Sequence, residues 1–289
     1  MKSVVLKAPA KINLYLEIVG PRTDGYTDVV LVLQSVALAD TVTIRPHPAI
    51  TIYCDHPLVP LDQHNLAHRA VQLLQETTNT SQGAEITIAK TIPVAAGLAG
   101  GSGNGAAVLV GLNELWQLGL TPAELARLAA RLGSDVPFCI RGGTALGYGR
   151  GEVLAVLASP GTLPVVLVKP RDLQVSTAWA YQTYRSLSSS QPPGKLSALL
   201  CRLTGQQPLA DLLYNDLEQA VLPHHPRIAQ LKQQLQDQGA LGVLMSGSGP
   251  TVFALAQDEA QAQNLAQTVA QEDCAVFVTH TISHGITLV

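Results

Sequence analysis

Pro93-Val94-Ala95-Ala96-Gly97-Leu98-Ala99-Gly100-Gly101-Ser102-Gly103-Asn104-Gly105-Ala106-Ala107 is a stretch of mostly small residues without a charge. It runs from a strand-like segment, residues 84–89, into an apolar helix-like one. A small-residue loop that opens a helix lets backbone N–H groups surround an anion, aided by the helix dipole. A mobile turn or tight packing accounts for the same glycines, so the stretch alone leaves both readings open. Phosphoryl transfer needs such a cradle, positive charge near the transferred group, and a base for the attacking hydroxyl. Lys11 at the head of a strand and Asp135 just after a helix are the candidates for the last two. Taken singly, Lys11 also reads as a solvated strand-end lysine and Asp135 as a loop residue capping a turn.

The elements around these residues follow from periodicity and punctuation. Residues 4–6 and 12–18 read as strands. In the second, Ile12, Leu14, Leu16 and Ile18 alternate with Asn13, Tyr15 and Glu17, which predicts one buried face. Asp24-Gly25 centres a turn over residues 21–26, and strands follow at 29–36 and 41–44. A helix is expected over 65–76, the strand at 84–89, and an apolar central helix over 107–115. Thr121, Pro122 and Glu124 form a capping box with proline at the first helical position, and Gly133 ends that helix. Asp135 then falls in a short connection, residues 134–138. Beyond about residue 154 come a strand (165–168), a helix (176–185) and a polar, mobile loop (186–195). Helical segments follow from 215 and over 226–238. Then come two strands joined by Ser246-Gly247-Ser248-Gly249-Pro250, a helix (258–271) and a last strand (275–279). That order predicts a ferredoxin-like α+β half.

Composition narrows the class. The chain has 289 residues, 47% of them hydrophobic and 13% charged, so it can bury the cores of two medium domains. A net charge of −3 without a Lys/Arg block speaks against nucleic acid as a partner. The uncharged run 91–113 contains Pro93 and many glycines, which argues against a membrane span, and no secretory signal pattern is seen. Cys54, Cys139, Cys201 and Cys274 show no metal-ligand spacing and read as reduced, mostly buried thiols of a cytoplasmic protein. No Walker-type loop or protein-kinase signature occurs. Gly101-x-Gly103-x-x-Ala106 matches a dinucleotide fingerprint weakly, because the strands before it lack crossover helices.

Several motifs, in this order, resemble the GHMP kinases, a family of small-molecule kinases. They are Ala8-Pro9-Ala10-Lys11-Ile12-Asn13-Leu14, Arg22-Thr23-Asp24-Gly25-Tyr26, the loop itself, Gly133-Ser134-Asp135-Val136-Pro137-Phe138, Val175-Ser176-Thr177, Asn215-Asp216-Leu217-Glu218 and Met245-Ser246-Gly247-Ser248-Gly249-Pro250-Thr251. The resemblance implies a two-domain α+β fold. Residues 1–155 would be a ribosomal protein S5 domain 2-like half and 156–289 a ferredoxin-like half, with the active site in the cleft between them. It implies ATP with Mg²⁺, although no cluster marks metal ligands, and a small-molecule substrate. Within the family the motifs resemble the branch that phosphorylates the C2 hydroxyl of a cytidine diphosphate sugar alcohol in isoprenoid precursor synthesis. By the same resemblance Lys11 and Asp135 are the catalytic pair and residues 93–103 wrap ATP. Asn13, Tyr26, Thr27 and Thr177 hold the substrate, and the Ser246–Gly249 turn closes the cleft.

The sequence departs from the family pattern at two places. Thr27 stands where the family usually has a histidine that reads the cytosine. In the loop, Ala95, Ala96 and Ala99 replace common glycines, Gly103 a common serine and Gly105 an alanine. Another small alcohol as substrate, or a non-catalytic nucleotide sensor, are the alternatives. Lys11 and Asn13 with Asp24-Gly25-Tyr26 argue against the first, and intact Lys11 and Asp135 against the second.

Overall fold

The computed structural model describes residues 3–187, 194–205 and 208–289. Two long strands, β1 (Val4–Pro21) and β2 (Thr27–His47), form the antiparallel hairpin on which the first sheet is built. Its turn is made as the Asp-Gly signal predicts. Arg22 N donates to Tyr26 O (3.0 Å), Asp24 Oδ1 accepts from Tyr26 N (3.1 Å), and Gly25 takes φ +83°. The separate short strands expected at 4–6 and 12–18, and at 29–36 and 41–44, are thus two continuous ones. Register shifts at Pro9/Ala10, Asn13/Tyr15 and Ile18/Gly20 let them bend without breaking.

The sheet gains β3 (Thr51–Cys54), β4 (Gly83–Ala89), β5 (Thr144–Tyr148) and β6 (Val153–Val156). Helices α1 (Leu66–Thr78), α2 (Gly100–Leu115), α3 (Pro122–Leu132) and α4 (Val136–Arg141) accompany it. In the second half come β7 (Pro164–Pro170), α5 (Thr177–Ser186), α6 (Leu196–Gly205), β8 (Tyr214–Asn215), α7 (Glu218–Val221) and α8 (Pro226–Asp237). The chain finishes with β9 (Gly242–Met245), β10 (Val252–Leu255), α9 (Glu259–Val269), β11 (Cys274–His280) and β12 (Thr287–Leu288). β11, β7, β10 and β9 make an antiparallel sheet in that spatial order, the ferredoxin-like arrangement. β8 and β12 cross over to pair with β1.

The contact between the halves revises the one-sided reading of β1. Asn13 and Tyr15 are as buried as Ile12, Leu14 and Leu16. Ile12 and Leu14 share a cluster with Leu167, Leu244 and Phe253, and Leu16 one with Val166, Val168 and Met245. Period-two alternation reports one wet face; here residues of both faces, Tyr15 as well as Ile12 and Leu14, pack against the second half.

Three helical readings change. α2 begins at Gly100, ahead of the expected start, so Asn104 to Ala107 lie inside it. α4 was read as a connection because six residues are too few for a periodic signal. α6 follows the polar stretch 186–195, of which residues 188–193 lie outside the described residues, as do Met1 and Lys2. Of the four cysteines, Cys139 and Cys274 are buried, Cys54 is partly so and Cys201 is exposed, so "mostly buried" holds for half of them.

Candidate active site

Where the halves meet, a cleft of about 970 Å³ opens, within the upper range of small-molecule sites. Lys11, Asn13, Tyr26, Thr27, Asp135 and Thr177 all line it. So do loop residues 93–97 and 99–102. Leu98 and Gly103 do not. Leu98 is 1% exposed and packs into the shared core, and Gly103, in the first turn of α2, faces Ala8 and Pro9.

The loop is held from both ends. On entering it, the backbone N–H groups of Thr91 and Ile92 both donate to Asp40 Oδ1 at 2.8 Å. The other oxygen of that fully buried carboxylate accepts from Asn104 Nδ2 (2.9 Å) and pairs with Lys90. Further along, three consecutive carbonyls are taken by groups outside the loop. Ala96 O accepts from Thr251 N (3.4 Å), Gly97 O from Ser246 Oγ (3.1 Å) and Leu98 O from Lys11 N (3.1 Å). In a trans peptide the N–H of the next residue points opposite to the carbonyl. The N–H groups of Gly97, Leu98 and Ala99 are therefore turned away from those partners. Positive φ recurs at Ala95 (52°), Gly97 (75°) and Ala99 (58°), the alternation that makes a backbone anion nest. α2 then starts without a side-chain cap, so its first N–H groups are open to a ligand.

Gly97 has no substitute at its position. A Cβ there would lie 2.3 Å from Ser246 O, in addition to the positive φ. The facing turn, Ser246 to Gly249, is fixed by Asn215, whose Nδ2 donates to Met245 O and Gly247 O, both at 2.8 Å. Ser248 Oγ bonds Thr177 Oγ1 at 2.9 Å, which ties this turn to the start of α5.

Lys11 and Asn13 point the same way from β1, two residues apart. Lys11 Nζ, in a residue only 5% exposed, donates to Asn13 Oδ1 at 2.7 Å and stands 3.7 Å from Asp135 Oδ2. Asp135 occupies the N-cap position of α4 but makes no capping bond, which leaves its carboxylate for the cleft. Among the described residues it is the only acidic side chain on the lining, against Lys11, Lys90, Arg150 and Arg185. A chain of net charge −3 thus concentrates positive charge in one concave place, which suits polyphosphate ligands. Burial, and next the charge of Asp135, push the hydroxyl of Tyr181 well above the usual phenol range, and the same two causes raise the Cys139 thiol.

Around Thr27 the wall is aromatic and cationic. The Arg150 guanidinium lies 4.6 Å from the centre of the half-exposed Tyr26 ring, and Arg185 of α5 donates to Thr27 Oγ1. Asp40, Lys90, Tyr181 and Arg185 were not singled out in the sequence, and Asn215 stood in a quoted motif without a role. A signal existed for the helical pair, because Thr177, Tyr181 and Arg185 recur every four residues after a serine cap. Asp40 and Lys90 are 50 residues apart, and nothing local marks them as partners.

Buried Lys11 beside the part-buried Asp135, facing a stitched glycine-rich loop across a cationic cleft, suits phosphoryl transfer to a small molecule. The GHMP kinase N terminal domain matches residues 65–143 and the GHMP kinase C terminal domain residues 197–275, and the chain belongs to that family of small-molecule kinases. Along its whole length the chain is similar to 4-diphosphocytidyl-2-C-methyl-D-erythritol kinases. That of Gloeobacter violaceus is 54% identical over 99% of this chain and 97% of its own, and one from Synechococcus is 52% identical over 100% and 97%. The crystal structure of a 4-(cytidine 5'-diphospho)-2C-methyl-D-erythritol kinase superposes with a TM-score of 0.79 at 31% identity, covering 96% of this chain and 98% of that one. Homoserine kinase from Cytophaga hutchinsonii shares the fold at the same TM-score of 0.79, with 22% identity over 100% of this chain and 98% of its own.

Proposed function

We propose that the chain transfers the γ-phosphoryl group of ATP to the C2 hydroxyl of 4-diphosphocytidyl-2-C-methyl-D-erythritol, giving the 2-phosphate and ADP on the non-mevalonate route to isoprenoid precursors. The observation that carries the mechanism is the Lys11–Asp135 pair, 3.7 Å apart beneath a loop whose N–H groups face away from their carbonyl partners. Asp135 accepts the hydroxyl proton as the new O–P bond forms and the bond from phosphorus to the ADP oxygen breaks. Lys11, held by Asn13, stabilises the charge that develops on the transferred group. Residues 93–102 hold the phosphates, and Thr177, Tyr26 and Thr27 hold the acceptor substrate.

Ser102 at the start of α2 and Asp135 both present oxygens to the cleft. They fit Mg²⁺ arriving with ATP, since this ion keeps several waters and takes few protein oxygens besides phosphates. Held there with ATP, the ion would neutralise phosphate charge. The division into a nucleotide-holding part, residues 1–155, and a closing part, 156–289, belongs to the same proposal.

The test is ADP release with the cytidylyl substrate, beside homoserine, mevalonate and no alcohol. Turnover confined to another alcohol would sink the assignment, and nucleotide binding without turnover on any would point to a sensor. Asp135→Asn is expected to lower turnover by about 10²–10⁴-fold while nucleotide still binds. Near-wild-type turnover in that variant would remove Asp135 from its role.

A further inference from the structure

Thr177, Tyr181 and Arg185 form one stripe of α5 along the cleft wall. The last of them is tied across to the other half of the chain. Arg185 Nη2 donates to the hydroxyl of Thr27, which is 8% exposed and sits in β2 opposite Pro21. A guanidinium is a planar fork of five donors with no acceptor. One bond to Thr27 fixes the plane and leaves the other donors for a ligand. Nearby acids are engaged elsewhere: Asp24 and Asp28 pair with Arg22, and Glu152 with Arg150. Among the described residues Arg185 itself has no carboxylate partner. Tyr26, next to Thr27, and Tyr181, one turn before Arg185, both line the cleft, which brings aromatic rings near the guanidinium for a planar base.

We propose that Arg185, positioned by Thr27, reads the pyrimidine of the acceptor substrate by donating to its O2 and N3. This rests on the cytidylyl assignment above. Cytosine offers two adjacent acceptors, O2 and N3, to which a fork of two donors is matched. Uracil carries a proton on N3, so the same fork meets a donor there. A bidentate contact of this kind discriminates between bases by about 10- to 100-fold.

The experiment titrates CDP and UDP calorimetrically into the full chain, its Arg185→Met variant and its Thr27→Val variant. Arg185 is exposed, and a melting curve of each variant verifies folding. The wild type is expected to prefer CDP by about 10- to 100-fold. Arg185→Met should bring the ratio close to one, mainly by weakening CDP, with Thr27→Val in between and the affinity for a non-hydrolysable ATP analogue unmoved. A wild type indifferent to the base, or a CDP/UDP ratio that survives Arg185→Met, overturns the proposal. So does an equal weakening of both nucleotides, which would make Arg185 a diphosphate contact. Turnover of the cytidylyl substrate is measured separately. CDP preference without turnover would sink the kinase assignment and leave base reading standing, whereas turnover with an unaltered ratio would sink base reading alone.

Discussion

Lys11 has its ammonium group almost out of water, with Asn13 Oδ1 at 2.7 Å and Asp135 at 3.7 Å as partners. Lys11→Met keeps the aliphatic stem and removes the charge. Turnover should fall by about 10²-fold or more, because the charge developing on the phosphoryl group loses its nearest fixed cation. Retention of wild-type turnover would show that backbone amides suffice. Thr27→His is a different kind of probe. The larger ring enters a position that is 8% exposed and displaces the hydroxyl that holds Arg185. The KM for the cytidylyl substrate should therefore move while that for ATP does not. An unchanged substrate KM would place position 27 away from the base. These residues differ in how visible they were. Lys11 and Asp135 stand in short motifs, whereas Arg185 shows in the sequence only a helical spacing from Thr177 and Tyr181, and gains its partner through a bond across 158 positions.

At the scale of elements, local chemistry was the most legible. Thr121 and Glu124 make both bonds of their capping box, with Glu124 N to Thr121 Oγ1 at 3.3 Å and Thr121 N to Glu124 Oε2 at 2.8 Å. The Arg22–Tyr26 turn and the ferredoxin-like order were equally plain, since caps, turns and alternation are written within a few residues. The early start of α2 was not, because glycine is the poorest helix former after proline. The helix uses it for proximity: a Cβ on Gly111 would lie 2.6 Å from Ile44 Cδ1 and 2.8 Å from Leu6 Cδ1. Gly111→Ala should cost about 1–3 kcal/mol of overpacking, less the gain in helix propensity, and lower the melting temperature. α5 meets the connection between α7 and α8 through Trp179, whose ring meets His224 and His225 edge-on at 5.4 Å. Burial, with His224 beside it, holds the His225 imidazole below its ordinary value of 6.5. The unfolded chain then takes up the proton first as pH falls, so this contribution is complete above about 6.5 and is lost towards acid. The melting temperature should fall between pH 7.5 and 5.5, and by less in His225→Gln. An equal fall in both proteins would assign the pH dependence to other groups.

For the molecule as a whole, the cleft is made by crossings that no local pattern announces. β8 and β12 return to β1, the Ser246 turn reaches Gly97, and Asn215 pins that turn through two carbonyls. Asn215→Ala would strand Met245 O and Gly247 O, each buried acceptor costing about 1–3 kcal/mol. Stability and affinity for ATP should decline together, since the turn supports the loop. A drop in stability with ATP affinity intact would show the loop to be set by Asp40 alone.

Ala95 and Ala99 sit at φ 52° and 58°, where glycine would rest without cost. Alanine, however, has fewer conformations to lose on ordering than glycine, by about 0.4–1 kcal/mol per residue, which offsets part of the strain. The loop is dear in shape yet poor in alternatives. Replacing both by glycine should raise the melting temperature slightly while amide hydrogens of the loop exchange faster. Capture of ATP would then slow, because part of each encounter would be spent rebuilding a cradle that the alanines keep ready.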